Sequence, residues 1–232
     1  RLLQAATVLA GVAVLLIAVG IGLYAIPLVA DADEPSQLFN LSRAFILFAG
    51  VALGLTSVGM AIRAVTWKRD NDLAKITGNV LAQHLDDQFM FVRNISKRRI
   101  GYIDAVLIGL PGVLVFRLID WKGNYLAEVN GWLEADGKRQ WVPTSANPTE
   151  EVIDDIKKVL TYLAEYGLED VPVFGIIVMT RKEPEAQLMV KEPLVPALHL
   201  HRLYPHMQKT FLAKDRIDKQ TVDDVIDLLY DK

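Results

Sequence analysis

Cysteine is missing from all 232 residues, which excludes disulfides and thiolate metal sites and fits a reducing compartment. Charge is almost as scarce in the first 65 residues. Arg1, Arg43 and Arg63 face only Asp31, Asp33 and Glu34. These cancel, so the whole net charge of −3 belongs to the chain from Thr66 onward. A non-specific nucleic-acid binder needs clustered positive charge to displace counterions, and this mildly acidic balance argues against nucleic acid as a partner. There is no phosphate-binding Gly-rich loop, no dinucleotide fingerprint and no Ser/His/Asp order that would suggest a hydrolase triad. The chain starts at Arg1 without an initiator Met, which predicts an N-terminus that is trimmed or only partly ordered.

Apolar sequence is what the chain has in excess. Residues 2–30 hold no charged side chain and are interrupted only by Gln4, Thr7, three glycines, Tyr24 and Pro27. About 20 apolar residues cross the hydrocarbon core of a bilayer, so one tilted helix over 2–30 is expected. A second apolar run, 44–62, lies in a helix expected over 44–65 and ends at Arg63 and the Trp67-Lys68-Arg69 cluster. Trp followed by cations marks a membrane–water boundary. Ala30-Asp31-Ala32 matches a signal-peptide cleavage pattern, but the preceding apolar run is about twice the usual length. A buried soluble hairpin is excluded because both runs are apolar all round. Residues 1–69 therefore read as a transmembrane hairpin joined by the acidic loop 31–43. The cations Arg63, Lys68, Arg69 and Lys75 predict a multi-pass cell-membrane protein with both termini and the C-terminal domain cytoplasmic. Gly50 and Gly54 put two small residues on one helical face, a packing seam for the first helix or for another membrane protein.

From residue 70 the periodicity changes. Leu73, Ile76, Val80, Leu81 and Leu85 have helical spacing over 70–85. Strands are expected at 89–93, 98–108, 113–120 and 171–179, with short hairpins in 125–142 turned by Asn130-Gly131 and Asp136-Gly137. Asn147-Pro148 opens a helix to about Tyr166: Asn147 caps, Pro148 suits the first turn, and Glu150 and Glu151 favour its positive end. A further strand at 197–203 and a helix at 221–229 complete a mixed α/β domain over 70–232.

Gly101-Tyr102-Ile103-Asp104, Pro111-Gly112-Val113, Trp121-Lys122-Gly123, Gly131-Trp132 and Asn147-Pro148 occur in an order and spacing that resemble the nuclease-related domain, NERD. The resemblance covers roughly residues 73–179. It implies a restriction-endonuclease-like mixed α/β sandwich and, in a working member, a divalent metal held by an Asp and a Glu, with a Lys two residues past the Glu. On that pattern Asp104 keeps the metal-binding position, Arg117 replaces the Glu and Ile119 replaces the Lys. The helical Gly–acid pair of the family has its nearest match in Gly78, followed by Asn79 and Val80.

Arg117 repels a cation, and Ile119 has neither a lone pair nor a proton to offer. Period-2 alternation turns Asp120 away from both. A salt bridge between Asp104 and Arg117 on neighbouring strands is expected in place of a metal. The competing reading is anion binding by Arg117, with Arg98 and Arg99 of the basic run 93–99 as further candidates. His199, His201 and His206 suggest a zinc set, but no fixed carboxylate completes it and surface histidines are expected. These residues predict a non-catalytic domain with no metal or cofactor, carried on a membrane anchor as a scaffold or accessory subunit. Its expected partners are the lipid bilayer and an integral membrane protein. The alternatives are a metal-dependent nuclease using displaced residues and a nucleic-acid sensor.

Overall fold

The computed structural model describes residues 2–25, 37–129, 131–136 and 140–230. The chain divides into two compact units, 1–69 and 70–232.

The first unit is a helical hairpin. Helix α1 is Leu2–Ala25 and α2 is Gln37–Leu81. Each contains an apolar stretch long enough to cross a bilayer core. The two run antiparallel. A Cβ at Gly20 would meet Leu47, and one at Gly50 would meet Ile17 and Ala13. Further along, the Ser57 hydroxyl donates to the Ala6 carbonyl at 2.8 Å. Outside this seam the surface is apolar, with Phe48 73% and Leu55 70% exposed. The expected second helix was too short at both ends. It begins at Gln37, so 37–43 is helix rather than loop, while 31–36 lies outside the described residues. At the other end it runs without a break through the separate helix expected over 70–85. No Pro or Gly lies between Arg63 and Thr77, and a change from apolar to charged side chains does not stop a helix.

The last turns of α2 belong to the second unit. Leu73, Ala74, Thr77 and Leu81 are buried there. Five strands form one sheet in the order β1-β2-β3-β7-β9: β1 is Met90–Lys97, β2 Gly101–Gly109, β3 Gly112–Ile119, β7 Val173–Met179 and β9 Ala197–His199. β2 and β3 are antiparallel neighbours, whereas β3, β7 and β9 run parallel. A second sheet, β6-β5-β4-β8, contains β4 (Gly123–Glu128), β5 (Gly131–Ala135), β6 (Trp141–Pro143) and β8 (Ala186–Val190). Helices α3 (Pro148–Ala164), α4 (Leu203–Lys209) and α5 (Lys219–Tyr230) complete the domain.

Alternation along the central strands builds two cores. Val113, Val115, Ile119, Ile177 and Met179 face α3, α5 and the second sheet. Leu114, Phe116, Leu118, Ile176 and Val178 face α2 and α4. The second sheet was legible only as hairpins, because β8, the parallel partner of β4, carries no strong period. The strand expected at 197–203 stops at His199 and continues as a 3-10 turn, Leu200–Arg202.

Candidate functional site

Asp104 lies near the start of β2 and Arg117 near the end of β3. One Arg117 nitrogen is 3.8 Å from Asp104 Oδ1. The other ion-pairs with Glu151 in the first half of α3. Asp104 Oδ2 also accepts the Leu118 backbone N–H at 2.8 Å. Ile119 is buried in the core, 5% exposed, and Thr180 donates both its N–H and its hydroxyl to the Ile119 carbonyl. Asp120 points elsewhere and pairs with Arg181 at 3.1 Å.

Sequence reasoning missed the contribution of α3. Glu151, Asp155 and Lys158 recur at i, i+4 and i+7, one helical face. Asp155 is 4% exposed and lies 3.3 Å from Lys158 Nζ, which also reaches Asp154 at 3.1 Å. The signal was present: Asp155 is a charged residue within the apolar stripe of Val152, Val159 and Leu163.

The residues that carried the family resemblance explain why α3 lies where it does. Trp132 is buried, packs edge-on against Trp121, and donates its indole N–H to the Thr149 hydroxyl at 2.9 Å. Asn147 Oδ1 accepts the Thr149 N–H at 3.2 Å, and Pro148 is the first residue of the helix. These contacts pin the first turn of α3 and so set Glu151 on Arg117. Gly78 likewise has a packing role, since a Cβ there would meet the Phe91 ring at 2.9 Å.

Burial dominates the electrostatics. It pushes the Asp104 carboxyl up to about 6, and Asp70 and Asp155 push the same way, against Arg117 and the Leu118 N–H. Asp155 is also raised by burial, which its Lys158 contact opposes. Burial works against the Arg117 cation, but Asp104, Glu151 and Asp155 together raise its pKa. The 3.8 Å contact therefore only partly compensates Asp104, while the closest contact of Arg117 is with Glu151.

The donor set does not fit a divalent ion at this place. A metal of the magnesium class needs carboxylate oxygens converging on one point, and the Arg117 guanidinium already occupies the space between Asp104 and Glu151. Among the described residues no three His, Asp or Glu side chains converge as a metal set.

The other residues singled out in the sequence do not join this cluster. Arg99 pairs with Glu165 at the far end of α3, and Arg98 is exposed in the turn before β2. Lys97 Nζ donates to the Leu228 carbonyl at 2.7 Å. Gly50 and Gly54 face α1, with Gly54 in looser contact, its Cβ position 3.8 Å from Ala13. The expectation of three surface histidines needs correction. His199 is 4% exposed, because β9 directs it under the chain that follows β7.

Residues 69–180 match the family model of the nuclease-related domain. No curated protein and no solved structure matches the chain.

Proposed function

We propose that this chain, whose residues 69–180 belong to the nuclease-related domain family, is a membrane-anchored binding subunit that does not cleave nucleic acid. One observation carries the reading: the Arg117 guanidinium stands between Asp104 and Glu151, where a metal-dependent nuclease needs its cation. A fixed guanidinium neutralises the carboxylates but lowers no water pKa and offers no open coordination position. Ile119, buried and apolar, has no proton to move. Both Arg117 contacts are to carboxylates, which also disfavours phosphate binding there.

The apolar exterior of the hairpin supports anchoring in lipid, and the cations at 63–75 support a cytoplasmic domain. Scaffolding of an integral membrane partner follows from a catalytically empty domain on such an anchor. The test is a nuclease assay of the full chain in detergent, on single- and double-stranded DNA and RNA with magnesium or manganese. No cleavage above a metal-free control is expected. Cleavage that disappears in Asp104→Ala would replace this reading with that of an enzyme using displaced residues. Gentle detergent extraction should also recover a stoichiometric membrane protein with the chain, and recovery of the chain alone counts against the scaffold role.

A further inference from the structure

Strand β7 is paired along the whole of one edge and only part of the other. The Val113 N–H donates to the Pro172 carbonyl at 3.0 Å, and the Thr180 N–H to the Ile119 carbonyl at 2.9 Å. In a parallel strand the N–H and C=O of one residue point to the same side, and the side alternates along the chain. Even-numbered residues of β7 therefore bond to β3, while Val173, Gly175, Ile177 and Met179 turn to the opposite edge. β9 covers that edge only at Ile177, Val178 and Met179. The Ile177 N–H donates to the Pro196 carbonyl at 2.8 Å, and there the ladder stops. In the same register the donor for the Gly175 carbonyl is the nitrogen of residue 196, and proline has no N–H. Among the described residues, the N–H and C=O groups of Val173 and Gly175 have no hydrogen-bond partner.

Beside this open edge lies a cavity of about 400 Å³, with Gly175 in its wall. Phe174, Ile176, Met207 and Phe211 make it apolar, and Leu194, 62% exposed, lines it as well. Arg216 adds a permanent positive charge to the lining. Its guanidinium carbon is 5.0 Å from the Phe174 ring centroid. Its Nη1 donates to the Phe211 and Lys214 carbonyls at 3.1 and 2.8 Å. These contacts fix the guanidinium and leave Nε and Nη2 with neither an acceptor nor a carboxylate among the described residues.

We propose that the open edge of β7 at residues 173–175 receives an extended segment of a partner protein as an added strand. An apolar side chain of that segment fills the cavity, and an acidic one meets Arg216. Recognition by strand addition combines main-chain bonds to a sheet edge with pockets for alternate side chains, and both halves are present here. An apolar small molecule would fill the cavity but leave the Gly175 N–H and C=O unmet. A second copy of the chain would bring another Arg216 cation to the seam, which charge complementarity disfavours. The edge is separate from the Asp104–Arg117 cluster, so its role stands whether or not the domain cleaves nucleic acid.

The probe is a set of short fluorescent peptides that alternate Val and Thr around a central Leu, Ile or Phe. Each carries an Asp on the same side of the strand as the central residue. Fluorescence anisotropy with the full chain in detergent should show saturable binding of at least one peptide. N-methylation of one alternate set of its amides should weaken binding about tenfold, and methylation of the other set should leave it unchanged. Replacing the peptide's Asp by Lys should also weaken it. So should Leu194→Glu, which places a charge on the exposed part of the lining. Pro196→Ala should do the same by giving the Gly175 carbonyl a donor and letting β9 extend over the edge. Absence of saturable binding across the set overturns the proposal, as does binding indifferent to methylation of either set of amides. Dimerisation of the peptide-free chain that Pro196→Ala abolishes would assign the edge to a second copy and overturn the partner.

Discussion

Asp104 is a buried acid that is not fully compensated, and its stability cost has a definite pH window. Its carboxyl titrates at about 6 in the fold against an ordinary value of 3.8. Between those values the folded chain holds a proton that the unfolded chain has lost, so stability falls as pH rises. The contribution is most favourable below about pH 4 and is lost once pH passes about 6. Two units correspond to about 3 kcal/mol at roughly 1.4 kcal/mol per unit. Asn has the shape of the protonated acid and still accepts from the Leu118 N–H. Asp104→Asn should therefore raise the melting temperature of the detergent-solubilised chain at pH 7–8, with the gain vanishing near pH 4. A loss of stability at neutral pH would mean that the Arg117 ion pair outweighs desolvation. Arg117→Gln should do the opposite. It leaves Asp104, Glu151 and Asp155 without their shared cation and should destabilise the fold at pH 7 by roughly 1–3 kcal/mol, less than a fully buried pair because Arg117 is partly solvated. That loss should shrink as acid protonates the carboxylates.

At the scale of elements, the hairpin seam separates two glycines that look alike in sequence. A Cβ at Gly50 would lie 2.8 Å from Ile17 Cγ1, 3.0 Å from the Ile17 nitrogen and 3.2 Å from the Ala13 carbonyl oxygen. Two of those atoms are backbone and cannot turn aside. At Gly54 the nearest atom is Ala13 Cβ at 3.8 Å, ordinary contact. Gly50→Ala should push α1 and α2 apart and cost roughly 1–3 kcal/mol, read as a lower SDS fraction for unfolding in mixed micelles. Gly54→Ala should be close to neutral, and equal effects would place the seam elsewhere. Because both glycines serve the hairpin itself, a bulky residue at Gly54 would not isolate a contact with a partner.

The sequence carried the α1–α2 pair and the strands β2, β3 and β7 clearly, since each has a strong apolar run bounded by Gly, Pro or charge. It did not carry the junction of the two helices, because Trp67 to Asp72 marks a change of solvent and not a change of backbone. Nor did it carry β8, five residues in which Gln187 interrupts any apolar period. At the site, Asp104 and Arg117 were legible from strand alternation and the family pattern. Glu151 was read only as a helix-terminus charge, because a strand-to-helix contact over 34 residues has no local signature. His199 was assigned to the surface because no carboxylate or cysteine completed a metal set around it, whereas the sheet edge buries it.

For the whole molecule, the decisive quantity is the length of α2. Its 45 residues span roughly 68 Å at about 1.5 Å per residue, more than twice a hydrocarbon core of about 30 Å. Only its apolar part can lie in lipid, so the charged part from Arg63 must emerge on one side. That part carries the cation excess, whereas 31–36 carries Asp31, Asp33 and Glu34 without a cation. On the proposed orientation, positive-inside bias would put residues 70–232 and the start of α1 on the cytoplasmic face, with 31–36 opposite. The absence of cysteine makes this simple to test, because an introduced Cys is the sole thiol in the chain. Ser36→Cys should react with an impermeant maleimide added outside intact cells, and Lys214→Cys should react only after the membrane is opened. Labelling of Ser36→Cys solely from the cytoplasmic side would invert the topology and leave the domain facing outward. The reverse pattern at Lys214→Cys would require the same conclusion.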